Sequence, residues 1–338
     1  MRLEERIKAF SQLGKQIKGL TPAELREIGG SAGRENPWFT QDNIKMALTG
    51  VSSFLTEPVL QQWTSSYFLE PRNPKTIGVA MAGNIPLAGF HDFLCVLISG
   101  HRLKAKLSSQ DSVLLVYLMN RLIEWEPGFG TRIQFSDAVQ GADAVIATGS
   151  NNTARYFEYY FRDIPYIIRK NRSSCSILTG EESPQELTDL GLDVFSYFGL
   201  GCRNISKLYL PEQYDSEKLF LSWRKYNSVL DHPKYANNYT YQKSILSVNN
   251  TPYLDNGFIL MREDTSFVSP ISILFYEFYS HPQELLNRIE NHREKIQCMV
   301  SSRRWFNGSE EFGRAQFPRV FDYADHVDTL RFLEGLGG

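Results

Sequence analysis

The chain has 338 residues, more than one ordinary domain needs and enough for two. Hydrophobic residues make up 42% and charged residues 22%, a globular profile that excludes fibrous, collagenous and disordered classes. Lys and Arg number 36 against 38 Asp and Glu, so the net charge is −2. This balance argues against nucleic acid and against an anionic membrane as partners, because both require a basic face.

The amino-terminal region, about residues 1–65, is predicted to be helical. Leu3, Ile7, Phe10 and Leu13 recur at three- and four-residue spacing and form one apolar face. Thr21-Pro22-Ala23-Glu24 combines an N-cap residue, a first-turn proline and a carboxylate at the third helical position. After a break at Asn36-Pro37, the helical pattern resumes from Thr40 to Leu60.

From residue 76, short apolar strands alternate with helical stretches. The strands are predicted at residues 76–82, 101–106, 132–135 and 142–147, and the helices at 87–99, 108–124 and 152–160. This alternation predicts an α/β fold with a Rossmann-type parallel sheet covered on both faces. Ligands of such sheets bind at the carboxyl ends of the strands. Here those ends carry Gly83-Asn84, Lys106–Ser109 and Gly149-Ser150.

A change of domain is predicted near residues 166–171, where a charged segment precedes a new apolar strand at 175–178. Ser183, Pro184 and Glu186 predict a capped helix from Ser183 to Leu190. Further strands are expected at 205–210 and 271–275, and an amphipathic helix at 281–296. The second part of the chain is therefore predicted to be a second α/β domain.

Cysteine usage points to a reduced environment. Four cysteines make no disulfide framework, and no CxxC or HxxxH spacing predicts a metal site. The first residues lack the apolar core of a signal peptide, and no stretch approaches the roughly 20 apolar residues that span a bilayer. We expect a cytoplasmic protein without a membrane span.

Cys202 is a candidate nucleophile, flanked by glycines and followed by a strand. A helix beginning near Gly199–Cys202 would favour the thiolate through its dipole, and Arg203 would act in the same direction. The alternative is a small buried hydrophobe, the commoner role of cysteine and the one that the local sequence favours. The other three cysteines fit that role: Cys95, Cys175 and Cys298.

Three further candidates follow the predicted strands. Asn84 has an uncharged amide suited to an oxyanion, or it is part of a turn before Pro86. Lys106 is able to hold a phosphate or a ribose hydroxyl, or it is a solvated lysine. Gly149-Ser150 stands before a helix, where backbone N–H groups meet phosphates, yet no GxGxxG occurs in the chain.

The order and spacing of these segments resemble the aldehyde dehydrogenase superfamily. The closest resemblance within it is to the acyl-CoA reductases of the bacterial luminescence (LuxC) family. It is carried by two segments: Phe198-Gly-Leu-Gly-Cys202-Arg-Asn-Ile-Ser-Lys-Leu-Tyr-Leu-Pro211, and Gly313-Arg-Ala-Gln-Phe-Pro318 followed by Asp322-Tyr-Ala-Asp325. It extends from about residue 70 to the end.

The resemblance implies a role for each candidate. Cys202 would take the acyl group from coenzyme A as a thioester, with the Asn84 amide and the Cys202 N–H stabilising the oxyanion. Lys106 matches the lysine of the superfamily's Lys-Pro-Ser-Glu motif, which holds the adenosine ribose. Gly149 and Ser150 match the Gly-Ser at the cofactor pyrophosphate. Glu263 matches loosely a ribose-binding glutamate.

Two departures from the superfamily pattern refine the expected reaction. Aldehyde-oxidising members activate water with a glutamate in Glu-Leu-Gly-Gly, whereas residues 166–174 contain no carboxylate. Ser109 replaces the glutamate of Lys-Pro-Ser-Glu, which removes repulsion of a 2′-phosphate and makes NADPH admissible beside NADH. We therefore expect NADPH-dependent reduction of an acyl-CoA, with a fatty acyl group, or of an acyl-protein thioester to the aldehyde.

The expected organisation and the competing functions follow from the same resemblance. Residues 1–170, with 313–338 returning, would bind the nucleotide cofactor, and residues 171–312 would form the catalytic cysteine domain. A homo-oligomer is implied. The alternatives are a CoA-acylating aldehyde dehydrogenase in the oxidative direction, an acyl-phosphate reductase, and a non-catalytic member that binds acyl groups or a partner.

A run of aromatic residues stands between residues 156 and 161. It either lines an acyl tunnel or belongs to the core, and core is the commoner role and the prediction. Its members are Tyr156, Phe157, Tyr159, Tyr160 and Phe161.

Overall fold

The computed structural model describes residues 1–337. The chain forms two compact units, Met1–Asn171 together with the chain from Pro318 onward, and Arg172–Phe317. Each unit has its own sheet, and the predicted α/β class with parallel sheets is confirmed.

The first unit begins with four helices and continues as alternating strands and helices. Its helices are α1 (Leu3–Lys18), α2 (Pro22–Glu35), α3 (Gln41–Phe54), α4 (Glu57–Thr64), α5 (Phe90–Ile98), α6 (Val113–Trp125), α7 (Asn151–Tyr160) and, near the carboxyl terminus, α12 (Thr329–Leu336). Its strands are β1 (Thr76–Ala80), β2 (Arg102–Lys106), β3 (Ile133–Phe135), β4 (Ala144–Thr148) and β5 (Tyr166–Arg169).

The five strands form a fully parallel sheet in the order β3-β2-β1-β4-β5. Strand β1 is central and pairs with β2 on one side and β4 on the other, so the order reverses between β1 and β4. In sheets of this kind ligands bind outside the carboxyl ends of the strands at that reversal. The predicted binding edge is therefore the edge that this topology favours.

Local capping explains several helix starts in the first unit. The Thr21 side chain accepts the backbone N–H of Glu24, whose carboxylate returns to the Thr21 N–H, as the capping box predicts. Helix α6 starts later than expected, at Val113 instead of residue 108. The Glu35 carboxylate accepts the backbone N–H groups of Ser112 (2.8 Å) and Val113 (3.1 Å), so its cap comes from the end of α2.

The carboxy-terminal segment joins the first unit through Arg169, the last residue of β5. The buried Arg169 guanidinium pairs with Asp92 (2.6 Å), and donates to Ala324 O (2.7 Å) and to the Thr329 hydroxyl (2.9 Å). A change of domain was predicted near residues 166–171, and the first unit runs to Asn171; within this segment, residues 166–169 form an edge strand. Arg169 is accommodated there because a carboxylate and two further oxygens compensate its charge.

The second unit is built around a six-stranded sheet. Its strands are β6 (Ser173–Ile177), β7 (Ile205–Pro211), β8 (Leu254–Asp255), β9 (Leu260–Glu263), β10 (Ile273–Tyr279) and β11 (Ile296–Ser301). Its helices are α8 (Pro184–Phe195), α9 (Glu217–Trp223), α10 (Pro233–Val248) and α11 (Pro282–Glu290). The order is β11-β6-β7-β10-β9-β8, parallel except for the β8–β9 pair.

Several expected elements differ from the structure. The predicted helix at 40–60 is two helices, α3 and α4, because Leu55 and Thr56 interrupt it. The predicted helix at 281–296 ends at Glu290, and Ile296 begins strand β11, which pairs with β6. The capped helix after Ser183 is confirmed and extends to Phe195.

Burial tests two further predictions. Cys95, Cys175 and Cys298 are buried, which confirms their assignment to the core, whereas Cys202 is exposed. Core was the wrong assignment for three residues of the aromatic run, which are about two-thirds exposed: Tyr156, Tyr159 and Tyr160. The reason is the helical period of α7, which turns only Phe157 and Phe161 toward the buried cluster beside β4.

Candidate functional site

The candidate residues of the first unit meet at one edge of its sheet. Asn84 lies in the loop after β1, Lys106 ends β2, Ser109 follows in the next loop, and Gly149-Ser150 follow β4. The side chains of Asn84, Lys106, Ser109 and Ser150 are exposed. Because β1, β2 and β4 are adjacent and parallel, their carboxyl ends bring these residues to a common edge.

The loops after β1 and β2 are tied together by Asp111. Its Oδ2 accepts the backbone N–H of Leu87 (2.7 Å), and Leu87 has the left-handed φ of 60°. The other oxygen, Oδ1, is buried without a hydrogen-bond partner. Burial raises the pKa of Asp111 to about 7, and the nearby Glu35 carboxylate acts in the same direction.

Close packing at Gly83 fixes the same two loops. A Cβ at Gly83 would lie 2.5 Å from the Ser108 hydroxyl oxygen, so only glycine fits this approach. The Gly83 carbonyl also accepts the buried Asn36 amide at 3.1 Å. Asn84, the next residue, therefore stands on a backbone that is held from two sides.

The Gly149-Ser150 segment forms the start of helix α7. The Ser150 hydroxyl accepts the backbone N–H of Thr153 (3.2 Å) and caps the helix. The Gly149 N–H donates to the Arg169 carbonyl in β5 (3.2 Å). A Cβ at Gly149 would lie 2.9 Å from the Thr153 side chain, so the close packing of the helix start requires glycine.

In the second unit, Cys202 lies in a turn that precedes β7. The turn spans residues 201–204 and is closed by a hydrogen bond from the Asn204 N–H to the Gly201 carbonyl (3.0 Å). The Cys202 carbonyl accepts the Ser174 hydroxyl of β6 (2.9 Å). The exposed cysteine is therefore displayed at the tip of a turn held by the sheet.

The condition for activation of Cys202 by a helix dipole, a helix beginning near Gly199–Cys202, is not met. Helix α8 ends at Phe195, a short 3₁₀ segment follows at Ser196–Gly199, and the turn with Cys202 comes next. The helix end that this turn contacts is a carboxyl terminus, whose partial charge is negative. A helix dipole therefore does not activate the thiol in the way the sequence suggested.

Asn204 connects the end of α8 to the turn. This side chain is 1% exposed, and its amide donates to Ser196 O (2.7 Å) and Asp193 O (3.1 Å). Its Oδ1 accepts the Gly201 N–H (2.8 Å). One buried amide thus joins the carbonyls at the end of α8 to the residue before Cys202.

Asp193 anchors the other side of this arrangement. Its buried carboxylate accepts the backbone N–H groups of Gly313 (2.6 Å) and Ala315 (3.0 Å). Burial raises the pKa of Asp193 to about 7, although these two hydrogen bonds oppose the shift. The carboxy-terminal segment that the resemblance singled out therefore contacts the helix end beside the cysteine turn.

Glu263 does not lie beside Cys202. It is the exposed last residue of β9 and pairs with Tyr276 of β10, which in turn pairs with Leu208 of β7. Cys202 precedes the amino end of β7, which is itself about 10 Å from Glu263 along the strands and about 10 Å across them. The structure does not bring this pair together.

The loop after Glu263 runs back over the sheet toward the amino end of β7. The Ser206 hydroxyl donates to the Phe267 carbonyl (2.8 Å), and the Lys207 ammonium contacts the carbonyls of Asp264 and Ser266. Lys207 is fully buried and pairs with Glu277 (2.6 Å). Residues 264–267 are therefore held on the strand that follows the cysteine turn.

Sequence reasoning missed the residues that hold these loops, namely Asp111, Asp193, Asn204 and Lys207. Asn204 and Lys207 stand within the cysteine segment itself, and Asp111 stands two residues after Ser109. Their proximity to the motifs was the available signal. Their burial and their hydrogen-bond partners could be seen only in the structure.

Across residues 1–337, no group of three or more His, Cys, Asp or Glu side chains is placed to hold a metal ion. Among the same residues, no helix combines the length and apolar character needed to cross a bilayer.

Solved structures with a similar fold are aldehyde dehydrogenases. The enzyme of Mycobacterium tuberculosis complexed with NAD⁺ matches with a TM-score of 0.66 at 12% identity, over 89% of this chain and 73% of its own. The NAD⁺ complex from Bacillus cereus matches with a TM-score of 0.62 at 12% identity, over 89% of this chain and 72% of its own.

A third match covers the whole of this chain. Aldehyde dehydrogenase 21 from Physcomitrella patens, in complex with the reaction product succinate, matches over 100% of this chain and 85% of its own, with a TM-score of 0.66 at 11% identity. No family model matches the sequence, and no curated protein matches it. The chain therefore has an aldehyde-dehydrogenase-like fold.

Proposed function

We propose that this protein uses NADPH to reduce an acyl-CoA thioester, carrying a fatty acyl group, to the aldehyde through an acyl-Cys202 intermediate. One observation carries the proposal. On an aldehyde-dehydrogenase-like fold, the one exposed cysteine of the described residues stands at the tip of a turn that a buried amide and the neighbouring strand hold. The other three cysteines are buried and unsuited to attack a substrate.

The proposed chemistry is an acyl transfer to the Cys202 sulfur followed by a hydride transfer to the sulfur-bound acyl carbon. The Cys202 thiolate attacks the acyl carbon, the new C–S bond forms, and coenzyme A leaves as a thiolate that takes up a proton. When bound, the reduced nicotinamide supplies a hydride to the acyl carbon. The resulting thiohemiacetal releases the aldehyde and regenerates the Cys202 thiolate. The sum is acyl-CoA, NADPH and a proton converted to aldehyde, coenzyme A and NADP⁺.

The oxyanion of each tetrahedral intermediate needs hydrogen-bond donors. We assign this role to the backbone N–H of Cys202 and to the side-chain amide of Asn84. Donors on a constrained backbone need little reorganisation when charge develops, which is the main source of stabilisation at such sites. The turn around Cys202 and the double anchoring of the Gly83 backbone are constraints of this kind.

The residues at the carboxyl edge of the first sheet fit a dinucleotide cofactor. The edge lies at the reversal of strand order, and the start of α7 stands beside Gly149 and Ser150. The exposed Lys106 would bind the adenosine ribose or its phosphate. Ser109 offers no carboxylate to repel a 2′-phosphate, which favours NADPH and leaves NADH possible.

The proposed direction is reduction rather than oxidation. Oxidation to a free acid requires a base that activates water, and residues 166–174 contain no carboxylate. The charged residue at the end of β5, Arg169, is buried in a pair with Asp92. A site without such a base would preserve the acyl-enzyme for hydride transfer.

Acylation of the enzyme in the absence of cofactor tests the proposal directly. Purified protein is mixed with a long-chain acyl-CoA without NADPH and analysed by peptide mass spectrometry. We expect one acyl group on Cys202, lost in Cys202→Ala and retained in Cys298→Ala, which removes a buried cysteine instead. An acyl group on another residue, or none, contradicts the proposal.

Turnover assays then separate the related activities. NADPH oxidation is measured with acyl-CoAs of graded chain length, with an acyl phosphate, and with an acyl-protein thioester, and the reverse reaction is measured with aldehyde, coenzyme A and NADP⁺. We expect the reductive reaction with acyl-CoA to dominate. The proposed homo-oligomer is tested by the mass of the protein in solution.

A further inference from the structure

We infer that Asn204 is the positioning residue of the Cys202 turn, setting the direction of the Cys202 N–H. The inference rests on the proposed role of Cys202 as nucleophile and adds the residue that orients it. Asn204 would touch neither substrate nor cofactor. It acts through Gly201, whose carbonyl and N–H both bond to it, and Ser174 holds the peptide group on the other side of Cys202.

The first of these peptide groups joins Gly201 to Cys202. Its carbonyl accepts the Asn204 backbone N–H at 3.0 Å, and its N–H is that of Cys202. No cis peptide occurs among the described residues, so the N–H of this planar group points opposite to its carbonyl. The bond to Asn204 therefore fixes the direction of the Cys202 N–H, which points away from the interior of the turn.

The second peptide group joins Cys202 to Arg203. Its carbonyl accepts the Ser174 hydroxyl from the adjacent strand β6 at 2.9 Å. With both flanking peptide groups held, the backbone dihedrals of Cys202 have little freedom. The position of its Cβ atom is therefore restricted as well. Sulfur and N–H are then presented in a constant relation to each other.

The side chain of Asn204 keeps the turn itself in place. Its Oδ1 accepts the Gly201 N–H (2.8 Å), while its Nδ2 donates to carbonyls of Ser196 (2.7 Å) and Asp193 (3.1 Å). The group must accept on one side and donate on the other, which asparagine does without a charge. An ionised aspartate would set a buried negative charge against the carbonyl oxygens.

The carboxyl end of α8, to which the Asn204 amide bonds, is itself anchored. The Asp193 carbonyl receives the Asn204 amide, and the Asp193 carboxylate binds the N–H groups of Gly313 and Ala315. The end of α8 is thus fixed from a segment more than 100 residues further along the chain. Loss of the Asn204 side chain would release the turn, while the end of α8 would stay in place.

Two reactions of Cys202 distinguish positioning from general loss of structure. Acylation by p-nitrophenyl acetate passes through an oxyanion, whereas alkylation by iodoacetamide does not. In Asn204→Ala we expect acylation to slow about 100-fold, the scale of a lost oxyanion donor, and alkylation to change less than about threefold. Ser174→Ala, which releases only one peptide group, should slow acylation by less than about tenfold.

Asn204→Asp supplies a rescue by protonation. A neutral aspartic acid can accept the Gly201 N–H and donate to the Ser196 carbonyl, whereas the ionised form cannot donate. The ratio of acylation rates, Asn204→Asp to Asn204→Ala, should therefore rise at least about tenfold as pH falls from 8 to 5. Trp223→Phe removes another fully buried hydrogen bond of this unit (Nε1 to Leu187 O, 2.8 Å) and should leave both reactions unchanged.

The outcomes are separable from those of the proposed function. Equal slowing of acylation and alkylation in Asn204→Ala, unchanged acylation, or a flat pH ratio overturns the inference. Should Asn204→Ala fail to fold, the ratio of the Asn204→Asp acylation rate to the wild-type rate decides it, and this ratio should rise as pH falls from 8 to 5. If Cys202 accepts acetyl from p-nitrophenyl acetate but no acyl group from acyl-CoA, the proposed substrate is wrong while the role of Asn204 is still measured.

Discussion

Asp111 makes the first unit sensitive to pH, and Asp111→Asn should remove that sensitivity. One carboxyl oxygen accepts the Leu87 N–H at 2.7 Å, and the other is buried without a partner. An asparagine has the shape of the protonated acid and retains the acceptor for Leu87. The substitution therefore removes a titrating group while preserving the link between the loops after β1 and β2.

The size of the effect follows from the shift in pKa. Burial raises the pKa of Asp111 from 3.8 to about 7, so between these values the folded protein holds a proton that the unfolded chain has lost. Stability therefore falls as pH rises through this window, by about 1.4 kcal/mol per pH unit and by about 4 kcal/mol in all. Between pH 5 and pH 8 the fall is about 2 to 3 kcal/mol, and Asp111→Asn should lack it.

Amide hydrogen exchange measures the effect in the correct unit. Peptides covering β1 and β4, the central strands, report the free energy of opening of the first unit. Comparing variant and wild type at the same pH cancels the intrinsic pH dependence of exchange. From pH 5 to pH 8, the free energy of opening of Asp111→Asn should rise by about 2 to 3 kcal/mol relative to that of the wild type.

The control is Asp137→Asn, which removes an exposed carboxylate of the same unit. The difference in free energy of opening between Asp137→Asn and the wild type should stay constant from pH 5 to pH 8. A constant difference for Asp111→Asn as well would refute the reasoning, because it would mean that the buried carboxyl does not change its protonation on folding.

Three further predictions concern both units. Ser109→Glu places a carboxylate where a 2′-phosphate is proposed to bind, so the Kd for NADPH measured by fluorescence titration should rise at least about tenfold while that for NADH does not. Gly149→Ala sets a Cβ 2.9 Å from the Thr153 side chain and should lower the stability of the first unit by about 1 to 3 kcal/mol in urea unfolding, an effect that Thr153→Ser reduces. Lys207→Met leaves Glu277 without its closest partner and should lower the stability of the second unit by about 3 to 5 kcal/mol, and Glu277→Gln in the same chain should recover part of it. A stable Lys207→Met protein would contradict the last of these.

Elements whose signals lie within a few residues were predicted well. The capping boxes at Thr21 and Ser183 each use a hydroxyl and a carboxylate three residues apart, so the whole interaction is written in one turn of helix. Strands β1 and β4 are short apolar runs, and β2 alternates charged and apolar residues; glycine or polar residues follow all three, and their parallel pairing follows from the helices between them. The predicted binding edge of the first sheet could therefore be located from the sequence alone.

Elements whose signals lie far apart in sequence were predicted poorly. Helix α6 starts at Val113 because Glu35 supplies its cap from 78 residues away. The helix predicted at 281–296 ends at Glu290, and the chain then forms β11 from Ile296 because β6 offers an edge for pairing. Tyr156 is exposed because the orientation of α7 against β4 decides which face of the helix is buried.

By itself, then, the sequence predicted two α/β units, the first strands with the helices between them, the loops that carry the candidate binding residues and, through the resemblance, Cys202 as the candidate among four cysteines. Only the tertiary structure decided how Cys202 is held. Its neighbours along the chain suggested a helix start, whereas the structure places it in a turn oriented by Asn204, Ser174 and the carboxyl end of α8. The physical reason is that a buried polar group must find its partners wherever the fold brings them, and those partners are separated along the chain.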